Sequence, residues 1–574
     1  MQDAMNWLAR DPDPRTREEL QHLIDEGMHD ELEDRFTQRL EFGTAGLRGK
    51  VGCGPNRMNR LVIQETATGL GHYLIEHVAN ASIRGVVVGY DGRLDSKQFA
   101  IDTASVLTAL GIKVYLTSDV AATPIVAFGI EHFNAAAAVV VTASHNPPEY
   151  NGFKVYWENG AQIIPPHDAG IAAEIDIAST KPIPLMSLSD AETQGKLVWL
   201  TEGYYQTYRA AINQSPYVNN TLESANTTIT YTAMHGVGAK MAEDLLHDAG
   251  FHKVFSVAEQ REPDGNFPTV NFPNPEEKGA MDLVVNLAKS VDADIACAND
   301  PDADRFAVAV RTDDKAKTDD ASYKMLTGDQ VGVLFAHYLL SKPHTKNQLV
   351  GNSIVSSTLL EKVAQSHGAT YFQTLTGFKW LANIGMQLED EQNEFLFAYE
   401  EALGYTIGTQ VRDKDGLSAI VVFAQLVEEL KSQGRTVWDL LAQISFEHGV
   451  HTNAQRNIAL DPDSPSIGSK LRAAQPKAIN GVAISVIEDL QSSLRFVIGG
   501  NTEAINLPSS DVLIYHLEDG TRIIVRPSGT EPKVKVYYET VTKFEGTETY
   551  EDTRLRGEED MSKLIEQHQQ ELNS

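Results

Sequence analysis

Cysteine is scarce in this chain, since Cys53 and Cys297 are the only two among 574 residues. Two cysteines form neither a disulfide framework nor a cysteine-rich zinc site, so a reducing compartment is expected. Long apolar runs are also missing. A run such as 135–143 is far below the roughly 20 residues that a membrane-spanning helix needs. The first residues lack the basic and apolar stretches of a signal peptide, and we therefore expect a soluble, cytoplasmic protein.

Basic residues are also fewer than acidic residues. Lysine and arginine number 48 against 79 aspartates and glutamates, which gives a formal net charge of −31. Non-specific nucleic-acid binding needs a basic face, so this balance argues against such a partner. An anionic small substrate is not excluded, because charges are screened over about 8 Å at physiological salt and the local cations decide binding.

Several known motifs are absent as well. The chain has no GxxxxGK[ST] phosphate loop, and Gly236-Val-Gly238 lacks the third glycine of a dinucleotide fingerprint. His72 and His77 are five residues apart and do not form a helical zinc pair. The composition, with 42% hydrophobic and 22% charged residues, is that of a globular protein. The length predicts about four domains.

The pattern along the chain alternates strands with helices. Short apolar strands separated by helical stretches occur in 85–142, 227–298 and 329–395, which indicates parallel α/β layers. The carboxyl-terminal part differs, because two β-rich runs flank Asp519-Gly520, a hairpin signal, and a helix is predicted at 554–572. The sequence therefore predicts three similar α/β domains with mixed or parallel sheets and a C-terminal α+β domain, around a central active-site cleft.

The domain boundaries are predicted from this succession of strands and helices. The predicted domains are 1–205, 206–323, 324–455 and 456–574. Polar stretches are predicted to be linkers or surface insertions at 311–322, 461–477 and 542–559.

A polar segment follows an apolar strand in each α/β part, and ligands bind at such strand ends in open parallel sheets. The first segment is TASHNPPEYNGFK, residues 142–154. Ser144 lies in the predicted strand-to-loop turn, with His145 beside it and Lys154 ten residues on, so it is a candidate nucleophile. A proline-ended surface turn is the alternative. The segment is not the GxSxG elbow of hydrolases, and no acid completes a triad.

The second segment is DPDADR, in which Asp300, Asp302 and Asp304 are spaced two residues apart. In a non-helical loop this spacing allows three carboxylates to converge on one hard divalent cation. A calcium loop needs glycine and glutamate where this chain has Arg305 and Arg311. Three carboxylates between apolar strands repel each other unless a cation neutralises them. We predict a Mg²⁺ site, with a plain acidic turn as the alternative.

Further segments suit sugar and phosphate groups. TGFK at 376–379 and YEEALG at 399–404 lie at predicted strand ends, and adjacent glutamates suit vicinal sugar hydroxyls. RPSGTEPK at 526–533 combines a guanidinium, hydroxyls and a glycine-opened backbone, which a phosphate dianion needs. A solvated helix start would also explain the glutamates, and a proline-bracketed turn would also explain the arginine segment. A glycine-rich loop at 41–49 carries one cation, Arg48.

Four of these motifs, TASHNP, DPDADR, EEALG and RPSGTEP, occur in this order and resemble those of the α-D-phosphohexomutase superfamily of phosphoglucomutases and phosphomannomutases. The resemblance covers essentially the whole chain. FGTAGLRG, TGFKW and YEEALGY are most similar to the branch that holds the phosphoglucomutase-2 and phosphopentomutase type.

The resemblance implies a role for each candidate residue. Ser144 would bear the catalytic phosphoryl group, and one of its phosphoryl oxygens would join the three aspartates around Mg²⁺. Arg305 and Lys379 would stabilise the transferring group, while Lys154 and His145 are the candidates for proton movement. Glu400 would take the sugar hydroxyls. The remaining substrate-binding candidates are Arg48, Thr376, Gly377 and Ala402, and those for the non-reacting phosphate are Arg526, Ser528, Gly529, Thr530 and Lys533.

The implied activity is a phosphosugar mutase that interconverts glucose 1-phosphate and glucose 6-phosphate. Glucose 1,6-bisphosphate would be the intermediate and activator, and it must turn around because one serine and one remote phosphate loop serve both phosphates. Ala402 departs from the serine of many family members, which leaves mannose, ribose and deoxyribose phosphates as alternatives. The same motifs would also suit a phosphatase or a catalytically silent sugar-phosphate sensor. The intact serine, aspartates and arginine loop count against the sensor.

Overall fold

The computed structural model describes residues 2–219, 224–312, 322–459, 467–527 and 533–573. The chain divides into two compact units. The first comprises Met1–Gly328, Phe378–Leu388 and Phe395–Gly434, and the second comprises Asp329–Gly377, Glu389–Glu394 and Arg435–Ser574. Over the described ranges, no helix is both long and apolar enough to cross a lipid bilayer.

A six-stranded mixed sheet lies in the first unit. Its strands are β1 (Leu47–Lys50), β2 (Val86–Tyr90), β3 (Val114–Thr117), β4 (Ala137–Val141), β5 (Tyr150–Trp157) and β6 (Leu197–Leu200). The spatial order is β1-β5-β4-β2-β3-β6. Strands β4, β2, β3 and β6 run parallel, while β5 is antiparallel to β4 and β1 is antiparallel to β5. The central strands are fully buried, as continuous valine and alanine runs require.

Helices pack on this sheet and form its apolar core. They are α1 (Gln2–Arg10), α2 (Pro14–Asp25), α3 (His29–Phe36), α4 (Arg60–His77), α5 (Ala81–Arg84), α6 (Ser96–Ala109), α7 (Thr123–Phe133), α8 (His167–Ser179), α9 (Leu188–Thr193) and α10 (Glu202–Asn213). Helices α6 and α7 lie against β2 and β4, and α4 packs between α6 and α8. Thr123 and Pro124 begin α7, as the sequence predicts, because proline is favoured in the first helical turn.

The second sheet of the first unit has five strands. They are β7 (Ile229–Thr232), β8 (Val254–Ser256), β9 (Ile295–Ala298), β10 (Ala307–Arg311) and β11 (Tyr323–Met325), with helices α11 (Ala239–Asp248), α12 (Ala258–Arg261) and α13 (Asp282–Val291). The spatial order is β11-β10-β9-β7-β8. Strands β8, β7 and β9 are parallel, whereas β10 and β11 are antiparallel to their neighbours.

A third alternation of helices and strands follows along the chain. Its elements are α14 (Gly328–Leu340), β12 (Asn347–Ser353), α15 (Leu359–Ser366), β13 (Thr370–Thr374), α16 (Phe378–Leu388), β14 (Asn393–Glu400), β15 (Gly404–Ile407), α17 (Gly416–Ser432) and α18 (Val437–His448). In the second unit, β12 and β13 pair in parallel. In the first unit, β14 pairs with β15 in antiparallel fashion, and α17 packs on α11 and β15.

The carboxyl-terminal part, in the second unit, is an antiparallel sheet with helices. Its elements are β16 (Val450–Ala459), α19 (Ile467–Ala473), β17 (Ala478–Ile479), β18 (Val482–Asp489), β19 (Leu494–Val497), β20 (Thr502–Ala504), β21 (Leu513–Leu517), β22 (Arg522–Pro527), β23 (Lys533–Thr542) and α20 (Tyr550–Asn573). The order is β16-β23-β22-β21-β18-β19-β20, with β17 beside β18. Helix α20 lies on β16 and β23 and buries Met561, Leu564 and Ile565 in the core of this sheet.

The predicted fold class is confirmed, with three α/β parts that contain parallel strands and a C-terminal α+β part. The predicted linker at 542–559 is wrong in its second half, because α20 begins at Tyr550. Arg554 forms ion pairs with Glu551 and Glu558 at helical spacing, which stabilises this charged start. The linker predicted at 461–477 contains α19, and its part at 461–466 lies outside the described residues, as does 313–321 of the first linker. The four domain boundaries stay a prediction.

Replacing Leu107 of α6 by alanine should lower the free energy of unfolding of the first unit by about 2–5 kcal/mol. The Leu107 side chain has no exposed surface and lies in the core of the six-stranded sheet, so its loss leaves a cavity. Urea denaturation followed by circular dichroism measures the change. Ile83→Ala is the control, because Ile83 is 76% exposed and its loss should cost no more than about 0.5 kcal/mol. Equal losses in both variants would contradict the burial of Leu107 in this core.

Candidate active site

Ser144 lies in the loop that connects β4 to β5. Its backbone has a φ of 51°, in the left-handed region that residues other than glycine adopt at a cost. The Ser144 N–H donates a hydrogen bond to Thr142 Oγ1 at 2.8 Å. Ser144 is buried. The turn after β4 is therefore a tight structure that fixes the direction of one serine hydroxyl.

The three aspartates lie in the loop that connects β9 to β10. Asp300, Asp302 and Asp304 are buried, and one carboxylate oxygen from each lies within 4.8 Å of the others. Ala303 has a φ of 55°, which marks the tight turn of this loop. Ser144 Oγ donates a hydrogen bond to Asp300 Oδ2 at 2.8 Å. The serine loop of the first sheet and the aspartate loop of the second sheet thus meet within the first unit.

Cations and a hydroxyl offset the negative charge of these carboxylates. Lys154 on β5 donates from Nζ to Asp302 Oδ2 at 2.6 Å and to Asp304 Oδ2 at 3.0 Å. Lys414, between β15 and α17, has its Nζ 3.2 Å from Asp304 Oδ2. Thr123 at the start of α7 donates from Oγ1 to Asp302 Oδ2 at 2.6 Å. Short charge-assisted hydrogen bonds of this kind are among the strongest in proteins.

The protonation states follow from burial and these neighbours. Burial, followed by repulsion from the other two aspartates, raises the pKa of Asp300 well above its usual value. Burial alone would raise the pKa of Asp302, but Lys154 prevails and lowers it. Burial alone would lower the pKa of Lys154, but Asp302 and Asp304 prevail and raise it. Lys154 therefore stays charged, and Asp300 is the carboxyl that bears the largest electrostatic cost.

Two carboxylate oxygens of this cluster are left without a protein donor. Asp302 Oδ1 and Asp304 Oδ1 are buried and have no hydrogen-bond partner within the described part of the chain. A buried acceptor without a partner is unfavourable, so these atoms call for a ligand. Carboxylate oxygens are the ligands that Mg²⁺ prefers in proteins. The aspartate cluster therefore fits a hard divalent cation.

His145 and Arg305 adjoin Ser144 and Asp300. His145 Nδ1 lies 3.2 Å from Ser144 Oγ. Burial, followed by Arg305 and Arg48, lowers the pKa of His145 to about 2, so its imidazole is neutral. The backbone N–H of Arg305 donates to Asp300 Oδ1 at 3.0 Å, and its buried Nε has no hydrogen-bond partner among the described residues. This guanidinium edge suits an anionic group.

Two further predicted residues, Lys379 and Arg48, lie at the glycine-rich loop 41–49 in the first unit. Lys379, at the start of α16, donates from Nζ to Thr44 Oγ1. Arg48 is exposed and donates from Nη1 to Asn146 Oδ1 at 3.1 Å. Gly46 has a φ of 77°, and a Cβ there would lie 1.9 Å from Phe153 O, so the loop requires glycine at this point.

The sugar-binding candidates lie in the turn from β14 to β15. Glu400 is the last residue of β14, and Glu400 and Ala402 are half-buried. The Phe306 N–H, just after the aspartate loop, donates to Leu403 O at 3.1 Å, and Arg305 forms a β-bridge with Gly404. The turn is therefore joined through the backbone to the aspartate loop.

The other predicted residues belong to the second unit. Thr376 and Gly377 follow β13, and Gly377 has a φ of 111°. Arg526 lies on β22, opposite Lys535 of β23. Ser528, Gly529 and Thr530 lie outside the described residues, and so does the side chain of Lys533, the first residue of β23.

Sequence reasoning missed four residues of the site: Asp91, Arg93, Thr123 and Lys414. Arg93 donates to the backbone carbonyl of Ser144 at 2.7 Å and pairs with Asp91, while Thr123 and Lys414 contact the aspartates. Asp91 and Arg93 follow β2, so the rule that polar residues gather at strand ends would have found them. For Thr123 and Lys414 the sequence offers no comparable signal.

Comparison with known families gives four successive matches along the chain. The phosphoglucomutase/phosphomannomutase alpha/beta/alpha domains I, II and III match residues 39–181, 205–313 and 327–445. The C-terminal domain of the same family matches residues 471–556.

Individual proteins match over nearly the whole chain. The probable phosphoribomutase of Schizosaccharomyces pombe is 36% identical over 92% of each chain. The probable phosphomannomutase of Haemophilus influenzae is 39% identical over 84% of this chain and 92% of its own. The crystal structure of parafusin, a phosphoglucomutase of Paramecium, superposes with a TM-score of 0.68 at 17% identity, over 93% of this chain and 96% of that chain.

Matches of this extent and identity establish membership, and the members are enzymes that act on sugar phosphates. The family uses a phosphoserine and Mg²⁺. The chain belongs to the phosphoglucomutase and phosphomannomutase family and is a sugar phosphate mutase, an isomerase of the phosphotransferase type.

Proposed function

We propose that this mutase interconverts glucose 1-phosphate and glucose 6-phosphate through a phosphorylated Ser144 and a glucose 1,6-bisphosphate intermediate. The observation that carries the proposal is the 2.8 Å hydrogen bond from Ser144 Oγ to Asp300 Oδ2, at the edge of a cluster that fits a divalent cation. A serine that only closed a surface turn would not need to be held against three buried carboxylates.

Ribose 1-phosphate is the second candidate substrate. The relative from Schizosaccharomyces pombe is named as a phosphoribomutase, and Ala402 offers no hydroxyl to a hexose. The relative from Haemophilus influenzae is named as a phosphomannomutase, which makes mannose 1-phosphate a further hexose to test.

The proposed transfer exchanges one phosphate ester bond for another. The sugar hydroxyl oxygen bonds to phosphorus and its proton moves to a base, while the bond between phosphorus and Ser144 Oγ breaks and Oγ takes up a proton. We assign the exchange of the proton on Ser144 Oγ to His145, because its Nδ1 lies 3.2 Å from that oxygen. Lys154 keeps its own proton, and its charge together with that of Arg305 stabilises the transferring group. Phosphoryl transfer depends mainly on such positioning and charge stabilisation.

The aspartates have a defined part in this scheme. Asp300, Asp302 and Asp304 would hold Mg²⁺, and the unpartnered oxygens of Asp302 and Asp304 support this assignment. When bound, Mg²⁺ supplies positive charge that neutralises the phosphoryl oxygens carried by Ser144. The tight turn after β4 holds Ser144 next to these carboxylates.

Substrate recognition is assigned to residues away from the serine. Glu400 would accept hydrogen bonds from sugar hydroxyls, and Lys379 would contact the transferring group. Arg526 would bind the phosphate that does not react, because a guanidinium contacts a phosphate at two oxygens. We assign the remaining contacts to the substrate to Arg48, Thr376, Gly377, Ser528, Gly529, Thr530 and Lys533. A single serine makes it necessary for the bisphosphate to turn around between the two transfers.

Replacing Ser144 by alanine should reduce turnover by about 10³-fold or more, because it removes the atom that carries the phosphoryl group. Intact-mass spectrometry of the wild type after incubation with glucose 1,6-bisphosphate should show a species heavier by one phosphoryl group. That species should be missing in the alanine variant.

Ser189→Ala is the matched control, since Ser189 is an exposed serine of α9. It should keep both the activity and the added mass. Near-normal turnover of Ser144→Ala would refute the covalent scheme. A phosphorylated wild type that releases inorganic phosphate without isomerising the sugar phosphate would identify a phosphatase, and a protein that binds sugar phosphates without turnover would be a sensor.

Replacing Asp300 by asparagine should raise the midpoint of thermal unfolding of the metal-free protein by about 1–3 °C. The raised pKa of Asp300 means that its ionised form is unfavourable in the folded state near neutral pH, and asparagine removes that charge. The gain in unfolding temperature that Mg²⁺ gives the wild type should shrink in the variant. Differential scanning fluorimetry with EDTA and then with Mg²⁺ measures both.

Asp176→Asn, at an exposed position of α8, controls for the change in net charge and should leave the Mg²⁺ response intact. An unaltered Mg²⁺ response of Asp300→Asn would count against the metal assignment.

Purified wild type should show a higher kcat/KM on glucose 1-phosphate than on mannose 1-phosphate or ribose 1-phosphate.

Replacing Ala402 by serine should raise the ratio of the kcat/KM for glucose 1-phosphate to that for ribose 1-phosphate by about 2–10-fold, which is the effect of one added hydrogen bond. Steady-state kinetics on the three substrates measures these ratios, with Ala173→Ser at an exposed position of α8 as the control. If the kcat/KM is highest on ribose 1-phosphate, the assignment of glucose 1-phosphate as the substrate is wrong and ribose 1-phosphate replaces it.

A further inference from the structure

Arg93 forms a hydrogen bond with every N–H group of its guanidinium. Nη2 donates to the carbonyl oxygens of Ser144 at 2.7 Å and Asn146 at 2.6 Å, and Nη1 donates to those of Pro147 at 2.8 Å and Tyr150 at 2.9 Å. Nε donates to Asp91 Oδ2 at 3.2 Å. The Arg93 side chain is 1% exposed. One buried side chain therefore gathers three carbonyls of the serine loop and that of Tyr150, the first residue of β5, around a single cation.

Asp91 connects this cation to Ser144 by a second route. Asp91 Oδ2 accepts a hydrogen bond from Thr142 Oγ1 at 2.7 Å, and Thr142 Oγ1 in turn accepts the Ser144 N–H at 2.8 Å. Asp91 Oδ1 accepts from Ser96 Oγ at 2.6 Å. The backbone of Ser144 is thus held on both sides, at its carbonyl by Arg93 and at its N–H by the chain through Thr142 to Asp91.

The serine loop needs such support for two reasons. Four carbonyl dipoles that point toward one centre repel each other unless a cation lies between them. Ser144 also has a φ of 51°, which a residue with a side chain adopts only when its surroundings compensate for the cost. Without Arg93, the loop has no reason to keep the conformation in which Ser144 Oγ lies 2.8 Å from Asp300.

We propose that Arg93 and Asp91 are positioning residues that set the orientation of the phosphoryl-carrying serine. This inference rests on the proposed role of Ser144. Arg93 has no donor left for a substrate, so it acts on phosphoryl transfer only through the backbone of the serine loop. Both half-reactions use the same Ser144 Oγ, and both therefore depend on this support.

Lysine cannot replace Arg93. An ammonium group has three donors and no planar fork, whereas the guanidinium satisfies five acceptors at once. Arg93→Lys should therefore slow the loading of Ser144 from glucose 1,6-bisphosphate by about 100-fold or more, the effect expected when a reacting group is misplaced by about 1 Å. The KM for the sugar phosphate should change by no more than about twofold, because the substrate-binding residues are untouched.

A second pair of variants tests the route through Thr142. Thr142→Val has nearly the same shape but lacks the hydroxyl, so it leaves the Ser144 N–H without its acceptor. Thr142→Val should therefore slow the loading by about 5–150-fold, the range expected when a buried group loses its hydrogen-bond partner. Thr142→Ser keeps the hydroxyl and should load within about threefold of the wild type.

The experiment follows phosphorylation of the Mg²⁺-loaded enzyme by intact mass after rapid mixing with glucose 1,6-bisphosphate, together with the unfolding midpoint and the KM. Arg60→Lys is the matched control, because Arg60 forms a two-point ion pair with Asp102 at 2.7 and 2.8 Å between α4 and α6, away from the serine loop. It should lower the unfolding midpoint without slowing the loading.

Slow loading in Arg93→Lys and Thr142→Val, with normal KM and normal loading in Arg60→Lys and Thr142→Ser, supports the inference. Normal loading per folded molecule in Arg93→Lys overturns it, even if the unfolding midpoint falls. If Arg93→Lys does not fold, slow loading of Thr142→Val supports the inference and normal loading of Thr142→Val overturns it. A wild type that takes up no phosphoryl group overturns the proposed function itself, and with it this inference.

Discussion

The mutual repulsion of three buried carboxylates is the constraint on which the site of this mutase depends. Asp300, Asp302 and Asp304 converge in one loop, and each ionised group that is buried away from water destabilises the fold unless opposite charge lies close by. Lys154 provides that charge from the neighbouring sheet. Two oxygens of the cluster still have no partner among the described residues after this compensation, so the cluster fits a cation. Reduced stability is a usual cost of a functional site.

The same constraint explains why elements from distant parts of the sequence meet here. Lys154 comes from β5 of the first sheet, Thr123 from the start of α7, and Lys414 from the segment after β15. Each brings a donor to the aspartate loop, which follows β9 of the second sheet. Correct packing of the two sheets and the β14–β15 turn is thus a condition for a tolerable charge balance, so the fold of the first unit and the chemistry of the site support each other.

The proposed function assigns phosphoryl transfer and substrate binding to different residues. The residues around Ser144 and the aspartates lie in the first unit, whereas Arg526 lies in the second. The phosphates of ribose, mannose and glucose offer the same group to Ser144 and the aspartates, so the proposed function does not use these residues to distinguish the sugars. The relatives are named after different sugars, and the proposed function assigns the choice of sugar to positions such as 402.

The sequence alone determined the alternation of strands and helices and the residues that follow the strands. Ser144 and the three aspartates were predicted in this way, because strand periodicity and polar strand ends are local patterns. Lys154 was predicted from its place ten residues after Ser144, and it lies within β5. Arg93 also follows a strand, so the same pattern would have marked it as a candidate, but nothing in the sequence shows that it binds carbonyls 51 to 57 residues away. Only the tertiary structure decided that role and those of Thr123 and Lys414, since a buried hydrogen bond depends on which atoms the packing brings within about 3 Å.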